Sequence, residues 1–228
     1  MFLPLYDGNP LRNIKVSWVN WTLIGVNIAV FVLLQQSLGV NKVAFSLGLI
    51  PTIVNDFKDL PVNAVWVPED ATYITYAFLH GGWMHLIGNM LFLWVFGDNV
   101  EDAMGHIRYI CFYLLCAAAA GFLHSFLIPQ NEAPLVGASG AVAGVVAAYL
   151  MLHPRVKVWV LVLARIPLPL SAMWCLGFWV LFQIFMFITD MDGTTSWSAH
   201  IGGIIAGAIL ILFLRHRHVP LFDKSSTG

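Results

Sequence analysis

Residues 137–152 read GASGAVAGVVAAYLML, an apolar run of small and branched side chains without a single charge. Runs of this kind recur along the chain, in which 59% of the residues are hydrophobic and 10% are charged. A soluble domain carries about 25% charged residues, and so few charges would not keep a compact domain of this size in solution. The composition therefore predicts a polytopic helical membrane protein. It argues against a disordered chain, which needs low hydrophobicity and high net charge.

Six apolar stretches of this type predict six membrane-spanning helices. The predicted spans are 19–38, 83–100, 106–128, 137–152, 171–188 and 198–214. They form one membrane domain, 19–214, which follows a short polar lead, 1–18, and precedes a basic tail, 215–228. The expected fold class is an all-α polytopic membrane protein built as a six-helix bundle.

Two connections between the predicted spans need their own interpretation. The stretch from Gly39 to about Tyr73 contains three prolines and is too long for a tight turn, so we expect a long interfacial loop that packs on itself. The segment from Val156 to Ile166 is apolar, but about 11 residues cannot cross a hydrocarbon core of about 30 Å. We therefore expect that segment to lie at the membrane interface.

The distribution of Lys and Arg predicts the orientation in the membrane. With the N-terminus in the cytoplasm, nine of the eleven Lys and Arg residues fall on the cytoplasmic side, and only Lys42 and Lys58 lie outside. Positive charge accumulates on the cytoplasmic side of membrane proteins. The pattern therefore predicts an even number of spans with both termini in the cytoplasm. The compact chain favours the plasma (inner) membrane of a prokaryote.

Polar side chains near the outer ends of three predicted spans form the candidate site. Spans 2, 4 and 6 all run inward, so their first turns lie at the same depth. Span 2 begins with His85 and Asn89, which are four residues apart and share one helical face. Span 4 begins with Ser139 and span 6 with His200. Because lipid makes such groups costly, polar residues within spans are functional candidates by default.

This set of residues suits acyl transfer. A serine hydroxyl becomes a nucleophile when a neutral histidine accepts its proton, which points to Ser139 and His200. The start of the span 4 helix offers free backbone N–H groups and a positive dipole end to a developing oxyanion. His85 and Asn89 add further donors. No Asp or Glu lies at this depth within a span, so we predict a Ser–His dyad without a third member.

The same residues also have a purely structural interpretation. Ser139 lies next to Gly140, which forms with Gly144 the small-residue pair typical of helix packing, and Gly203 and Gly207 form the same pair on span 6. The asparagine and the histidines would then be hydrogen-bonding links between helices. Packing and function are compatible, because close approach of spans 4 and 6 would bring the serine and the span 6 histidine within reach of each other.

Several other polar residues are expected to be structural. We expect His80 to bond within the surface loop, and Glu101 and Asp102 to cap or pin the turn to span 3. The remaining histidines lie at span ends or in the tail and need no special role. The three cysteines have no zinc-type spacing and act as apolar fillers. Because the chain also lacks a His-Glu-x-x-His motif, we predict no metal and no cofactor.

Four motifs, in order along the chain, resemble those of the rhomboid family of intramembrane serine proteases. They are HGGWMHLIGN at 80–89, GDNVED at 97–102, GASG at 137–140 and AHIGG at 199–203, followed by Gly207. The resemblance implies a rhomboid-like bundle in which Ser139 is the nucleophile and His200 the general base. It implies an oxyanion hole made of His85, Asn89 and the Ser139 backbone N–H. It also implies transmembrane protein substrates that are cleaved near their outer end.

The chain departs from the family's pattern at two places. Many relatives carry a Trp-Arg pair in the first long loop, whereas here Trp66 is followed by Val67. Some relatives carry an aromatic residue one helical turn after the nucleophile, where it stacks on the catalytic histidine. Here that position is Ala143, so the orientation of His200 must depend on other packing.

Span 5 is the expected lateral entrance for a substrate. It is bracketed by Pro167, Pro169 and Gly193, which suit hinges. We expect Trp179 and Phe182 to act as a substrate gate by packing between span 5 and span 2. Alternatively, the aromatic side chains of span 5 simply face lipid.

Two other functions compete with proteolysis. One is a non-catalytic membrane chaperone or adaptor of the same fold, and the other is a small transporter or proton relay that uses the buried histidines. The transporter would be expected to carry acidic residues in the middle of its spans, and none is present there. The expected partners are the lipid bilayer and transmembrane protein substrates. A net charge of −1 without a basic run predicts no nucleic acid, and the oligomeric state is not predicted.

Overall fold

The structure is a computed structural model that describes residues 2–162, 165–189 and 196–222. Its main helices are α1 (Trp18–Leu38), α2 (83–104), α3 (His106–Leu127), α4 (Ser139–Leu152), α5 (Ala172–Thr189) and α6 (Trp197–Leu214). Its strands are β1 (Phe2–Asp7), β2 (Lys157–Val162) and β3 (Ile166–Ser171). Each main helix overlaps one apolar stretch of the sequence. The expected hinge Gly193 lies outside the described residues.

The chain is mostly helical, and the length and apolar composition of its helices are those of an integral membrane protein. Within the described part of the chain, four helices are long and apolar enough to cross a membrane: α1, α3, α5 and α6. α4 is apolar but has 14 residues, which rise about 21 Å at 1.5 Å per residue. α2 consists of Trp83–Phe92, a π-helical turn at Leu93–Gly97 and a last segment at Asp98–Met104, which carries three acidic residues.

The connection between α1 and α2 is a chain of short helical segments. α-Helical turns lie at Val40–Leu47, Pro51–Val54 and Thr72–Thr75, and 3₁₀ turns at Val62–Ala64, Glu69–Ala71 and Tyr76–Phe78. The connection packs on itself, because the Lys42 ammonium lies 6.0 Å from the centre of the Trp66 ring. An ion pair between Lys58 and Glu132 ties it to the loop between α3 and α4.

α4 lies at the centre of the bundle and packs backbone to backbone against α6. A β carbon on Gly203 would overlap the carbonyl oxygen of Gly140, and one on Gly207 would overlap that of Gly144. Gly144 also faces α3, where the Cys116 Sγ lies 2.6 Å from the position that a β carbon on Gly144 would take. The prediction that the two small-residue pairs bring these helices into close approach is confirmed.

A three-stranded sheet stands where the sequence predicted an interfacial segment, so the expectation of an all-α chain is wrong at this end of the bundle. β2 pairs antiparallel with both β1 and β3, in the order β1-β2-β3. Val158 and Val160 of β2 are fully buried, while Trp159 between them is exposed. This period of two is the pattern of a strand with one buried face. Pro167 and Pro169 lie in the edge strand β3, where proline is tolerated.

Glu101 and Asp102 pin the N-terminal segment, which corrects the expectation that they serve the turn to α3. The Glu101 carboxylate accepts hydrogen bonds from the backbone N–H groups of Val19 (3.2 Å) and Asn20 (2.8 Å) in the first turn of α1. Asp102 accepts from three successive backbone N–H groups before that helix. Glu101 thereby satisfies backbone N–H groups that have no partner inside a helix start, and Asp102 satisfies those of the segment that precedes the helix. On the side of α3, Glu101 contacts the ring of His106.

Asp7 connects the sheet to the bundle. Its buried carboxylate accepts a hydrogen bond from the Tyr149 hydroxyl of α4. Burial raises the pKa of Asp7 to about 7, and the nearby Asp98 adds to this shift. The carboxyl group therefore changes its charge near neutral pH inside the packed structure.

Candidate active site

A cavity of about 860 Å³ opens at the end of the bundle where α2, α4 and α6 begin. We call this the site end, and the opposite end the sheet end. All four residues predicted for the chemistry line the cavity: His85, Asn89, Ser139 and His200. The two predicted gate residues, Trp179 and Phe182, line it as well, together with Gln183. The structure thus brings into one cavity residues that are up to 115 positions apart in the sequence, from His85 to His200.

Ser139 is the first residue of α4 and stands beside an unusual glycine. Gly137 has φ +129°, a backbone conformation that favours glycine. A β carbon there would lie 2.7 Å from His85 Nε2 and 3.6 Å from the Ser139 Oγ. The imidazole and the hydroxyl therefore converge on the bare α carbon of this glycine. The first backbone N–H groups of α4 have no partner inside the helix, so they are available at the same place.

His200 is held from α5. Its Nδ1 lies 2.7 Å from Oε1 of the buried Gln183. The ring of Trp179 stacks over it with centroids 6.5 Å apart, and that of Trp197 meets it edge-on at 5.7 Å. Some relatives have an aromatic residue at the position of Ala143 that stacks on the catalytic histidine. Here Gln183, Trp179 and Trp197 orient the histidine instead.

The Gln183 contact also assigns the protonation of the His200 ring. An amide oxygen only accepts hydrogen bonds, so this arrangement places the ring hydrogen on Nδ1 and leaves Nε2 as an acceptor. An unprotonated Nε2 is what a general base for a serine hydroxyl requires. Gln183 was not among the predicted site residues, because only Asp and Glu at the depth of the site were considered as a third member of the dyad. The available indication was a lone glutamine inside an apolar span.

His85 and Asn89 present hydrogen-bond donors to the cavity. His85 Nδ1 accepts a long hydrogen bond, 3.4 Å, from the Gly81 backbone N–H, which places the ring hydrogen on Nε2, the nitrogen that faces Gly137. The Asn89 Nδ2 group is buried and has no hydrogen-bond partner in the described structure. A buried amide donor without a partner is costly, so Asn89 is poised to donate to a group that enters the cavity.

His80 does not bond within the surface loop, which corrects the expectation for this residue. It is fully buried, and neither of its ring nitrogens has a hydrogen-bond partner among the residues described. Its backbone N–H and carbonyl group are paired instead with the Gln35 side chain of α1. The His80 ring meets the His85 ring at 5.2 Å, so it packs behind one of the candidate oxyanion donors.

A second serine–histidine pair lies outside the cavity. The His124 Nδ1 of α3 and the Ser198 Oγ of α6 are 2.8 Å apart. Neither residue lines the cavity, and the pair links two packed helices. In contrast, the Ser139 hydroxyl and the His200 ring share a cavity but not a hydrogen bond in the described structure. Catalytic hydrogen bonds often tighten only when substrate is bound.

The two predicted gate residues make different contacts. The Trp179 ring packs against Phe92 of α2 at 5.8 Å, which is the expected contact between spans 5 and 2. The Phe182 ring packs edge-on against Trp197 of α6 at 6.0 Å. Trp179 therefore lies between α5 and α2 as expected, whereas Phe182 is 43% exposed and its ring contact is with α6 rather than with the expected α2. No group of three or more His, Cys, Asp or Glu residues suited to a metal occurs in the described ranges.

Fold and site together define a helical membrane protein with a serine and a histidine in a mostly apolar cavity at one end of its bundle. The family model described as Rhomboid domain matches residues 68–217. This range contains α2 to α6 and every residue of the candidate site. The chain therefore belongs to the rhomboid family.

Curated relatives agree with the family. The chain is 29% identical over 188 residues to Rhomboid protein 1, mitochondrial, of Saccharomyces cerevisiae, which covers 78% of this chain and 51% of the relative. It is 39% identical over 75 residues to Rhomboid-like protein 11, chloroplastic, of Arabidopsis thaliana, covering 33% and 26%. It is 26% identical over 192 residues to Rhomboid protease GlpG of Klebsiella pneumoniae, covering 82% and 59%. The match thus spans about half the length of the yeast relative and about a quarter of the length of the chloroplastic relative.

Proposed function

We propose that the chain is an intramembrane serine endopeptidase that cleaves transmembrane segments of membrane proteins near their outer end. The observation that carries the proposal is the content of the cavity at the site end. It combines a serine at a helix N-terminus, a histidine with an acceptor nitrogen, and a buried amide donor that has no partner. The name of the Klebsiella relative, a rhomboid protease, supports the same activity.

In the proposed acylation step, His200 Nε2 accepts the proton of the Ser139 hydroxyl while Oγ attacks the carbonyl carbon of the scissile peptide bond. The carbonyl oxygen becomes an oxyanion. It accepts hydrogen bonds from the Ser139 backbone N–H, His85 Nε2–H and Asn89 Nδ2–H. His200 then donates its proton to the leaving amine nitrogen, the C–N bond breaks, and an ester on Ser139 remains.

In the proposed deacylation step, a water molecule attacks the ester carbon and His200 accepts its proton. The ester C–O bond breaks, the proton passes to Ser139 Oγ, and the carboxyl product leaves. Both steps need water in a site that lies among membrane helices. The cavity opens at the end of the bundle, so water reaches Ser139 without crossing the hydrocarbon core.

The proposed membrane arrangement uses all six helices as spans, with the site end outside and the sheet end in the cytoplasm. Arg108, Lys157 and Arg215 then lie on the cytoplasmic side, as the positive-inside rule requires. α4 is short for a core of about 30 Å, but nearly all of its residues are buried by protein. Its N-terminus thus lies below the outer surface, where a transmembrane substrate has its upper turns. Trp179 and Phe182 are proposed as the gate that such a substrate must pass.

The membrane in which the chain works is a separate matter. The relatives carry mitochondrial and chloroplastic names, and one is from a bacterium. The expectation of a prokaryotic plasma membrane therefore gains no support from them, and we propose only that the substrate is a transmembrane protein of the same bilayer.

The proposal is tested with the purified chain in proteoliposomes that contain a fluorogenic transmembrane substrate. Ser139→Ala is expected to abolish cleavage, and Ser198→Ala, the matched control in the second serine–histidine pair, is expected to retain it. Cleavage by Ser139→Ala at the wild-type rate would overturn the assignment. A wild-type chain that binds transmembrane segments but never cleaves them would instead identify a non-catalytic chaperone or adaptor.

A further inference from the structure

Gln183 is the one polar side chain that α5 buries within the described residues. The buried residues in the first half of this helix are Ala172, Cys175 and Leu176, and in the second half only Gln183 is buried. Its 3% exposure contrasts with the exposed side chains on either side of it. Burying an amide among apolar groups costs free energy unless it is hydrogen-bonded. Here the bond is the one from Nδ1–H of His200 to the Gln183 Oε1.

The position of this bond matters for the chemistry. In serine hydrolases with a full triad, a carboxylate accepts the hydrogen on Nδ1 and keeps Nε2 free for the serine. Gln183 occupies the same place relative to His200 as that carboxylate, but it is neutral. It fixes the ring's tautomer and orientation without adding charge to a site surrounded by lipid.

The position of the bond also matters for access. Trp179 and Gln183 are four residues apart on α5, so they share one face of the helix, and both contact His200. Trp179 also packs on Phe92 of α2. The half of α5 at the site end therefore contacts the bundle through the general base, as well as through Phe92 of α2 and Trp197 of α6. A substrate that displaces this half of α5 to reach Ser139 pulls the orienting amide away from His200.

We propose that Gln183 is a positioning residue for His200 that couples the lateral gate to catalysis. With α5 closed, the base is oriented with Nε2 free; with α5 displaced, Nδ1 loses its acceptor and the ring is no longer held. Peptide hydrolysis then takes place after α5 has closed behind the substrate. This inference rests on the proposed proteolytic function and adds to it a third member of the catalytic unit.

A role in packing alone makes a different prediction. If Gln183 only filled space, the nearly isosteric Gln183→Leu would bury more apolar surface at a site among apolar side chains and would leave the chemistry unchanged. If it positions the base, the same variant removes the acceptor on Nδ1. The two roles therefore separate in the reactivity of Ser139, measured with a probe that is small and does not need the gate.

The experiment measures the rate at which a fluorophosphonate labels Ser139 in the full-length chain, as a function of pH. Gln183→Leu is expected to slow labelling about 10–100-fold, within the range that positioned acid–base groups contribute. Gln183→Glu retains an acceptor and is expected to restore labelling. It should also shift the acid limb of the profile to higher pH, because a carboxylate favours the protonated ring. Leu181→Ala, on the exposed side of α5, is the matched control and is expected to label like the wild type.

The coupling to the gate is tested with a transmembrane substrate. Gln183→Leu also removes the hydrogen bond that links α5 to His200, so both KM and kcat for this substrate are expected to fall. Thermal stability is expected to change little, because the apolar surface that Leu buries offsets the lost bond. Wild-type labelling rates and an unchanged pH profile in Gln183→Leu would overturn the inference and leave the protease assignment intact. Absence of Ser139 labelling in the wild type would overturn the proposed function instead.

Discussion

Gly203 of α6 lies so close to Gly140 of α4 that a β carbon on Gly203 would overlap the Gly140 carbonyl oxygen. Ser139 is the neighbour of Gly140, and His200 stands three residues before Gly203, just under one helical turn. The contact between the two glycines therefore sets the separation of the proposed nucleophile and the proposed base. In this fold the helix packing and the proposed catalytic geometry depend on the same few atoms.

This relationship predicts that the glycine contact is required for activity. Gly203→Ala should push α6 away from α4, which costs about 1–3 kcal/mol of stability through overpacking. A displacement of about 1 Å at the catalytic pair can lower kcat about 100-fold. Gly177→Ala on α5 is the control, because a β carbon there meets nothing within 4 Å. Thermal unfolding in detergent and cleavage assays measure both effects, and full activity in Gly203→Ala would contradict the account.

A second prediction concerns the unpartnered amide of Asn89. If Asn89 Nδ2 donates to the oxyanion, Asn89→Ala should lower kcat with a smaller change in KM. The loss should be about 10–100-fold, at or below the lower end of the range of about 10²–10³ for one oxyanion donor, because His85 and a backbone N–H remain. The control is Asn27→Ala, which removes a buried asparagine far from the cavity. Unchanged kcat in Asn89→Ala would leave this residue as a link between helices.

The two gate residues are predicted to behave differently because they touch different partners. Phe182 packs on Trp197, so Phe182→Ala should loosen α5 and speed cleavage of a transmembrane substrate without changing hydrolysis of a small soluble ester. Trp179 also stacks on His200, so Trp179→Ala should slow ester hydrolysis. Phe185→Ala, on the exposed side of α5, is the control. Equal rates for Phe182→Ala and wild type on the transmembrane substrate would place the entrance elsewhere.

A fourth prediction concerns pH and stability at the sheet end. Burial raises the pKa of Asp7 from 3.8 to about 7, so the folded chain holds a proton there that the unfolded chain releases. Between pH 4 and 7 the folded state binds more of the Asp7 proton than the unfolded state does, so the contribution of Asp7 to the free energy of unfolding falls as pH rises through this window. Asp7→Asn should weaken this pH dependence.

The measurement is the Tm at pH 5 minus the Tm at pH 7, in detergent. It should be smaller in Asp7→Asn than in the wild type, whereas the exposed-residue variant Asp59→Asn should match the wild type. An Asp7→Asn variant with the full wild-type difference would show that Asp7 is not the titrating group.

The sequence was enough to predict the helices and the residues that meet in the cavity, because their causes are local. Long apolar runs select spanning helices, and the small residues around Ser139 and His200 specify which two helices pack most closely. Gln183 could not be assigned in this way. Its role depends on which helix face turns toward His200, and that is decided by the packing of α5 against two other helices.

The sheet was missed for a related reason. Val158 and Val160 belong to a continuous apolar run, and alternation is hidden when both faces of a strand carry apolar side chains. The pairing with β1 brings together segments about 150 residues apart, which no local pattern records. The same holds for Glu101, whose partners in the first turn of α1 lie 81 and 82 residues away in the chain.

The most direct test of the central claim is to identify, by peptide mass spectrometry, which serine a fluorophosphonate modifies in the intact chain. Among the described residues, Ser139 lines the cavity with Ser196 and His200, whereas Ser198 is bonded to His124. We predict modification of Ser139, which is lost in His200→Ala and retained in His124→Ala. Modification of Ser198, or labelling that depends on His124 rather than on His200, would contradict the account.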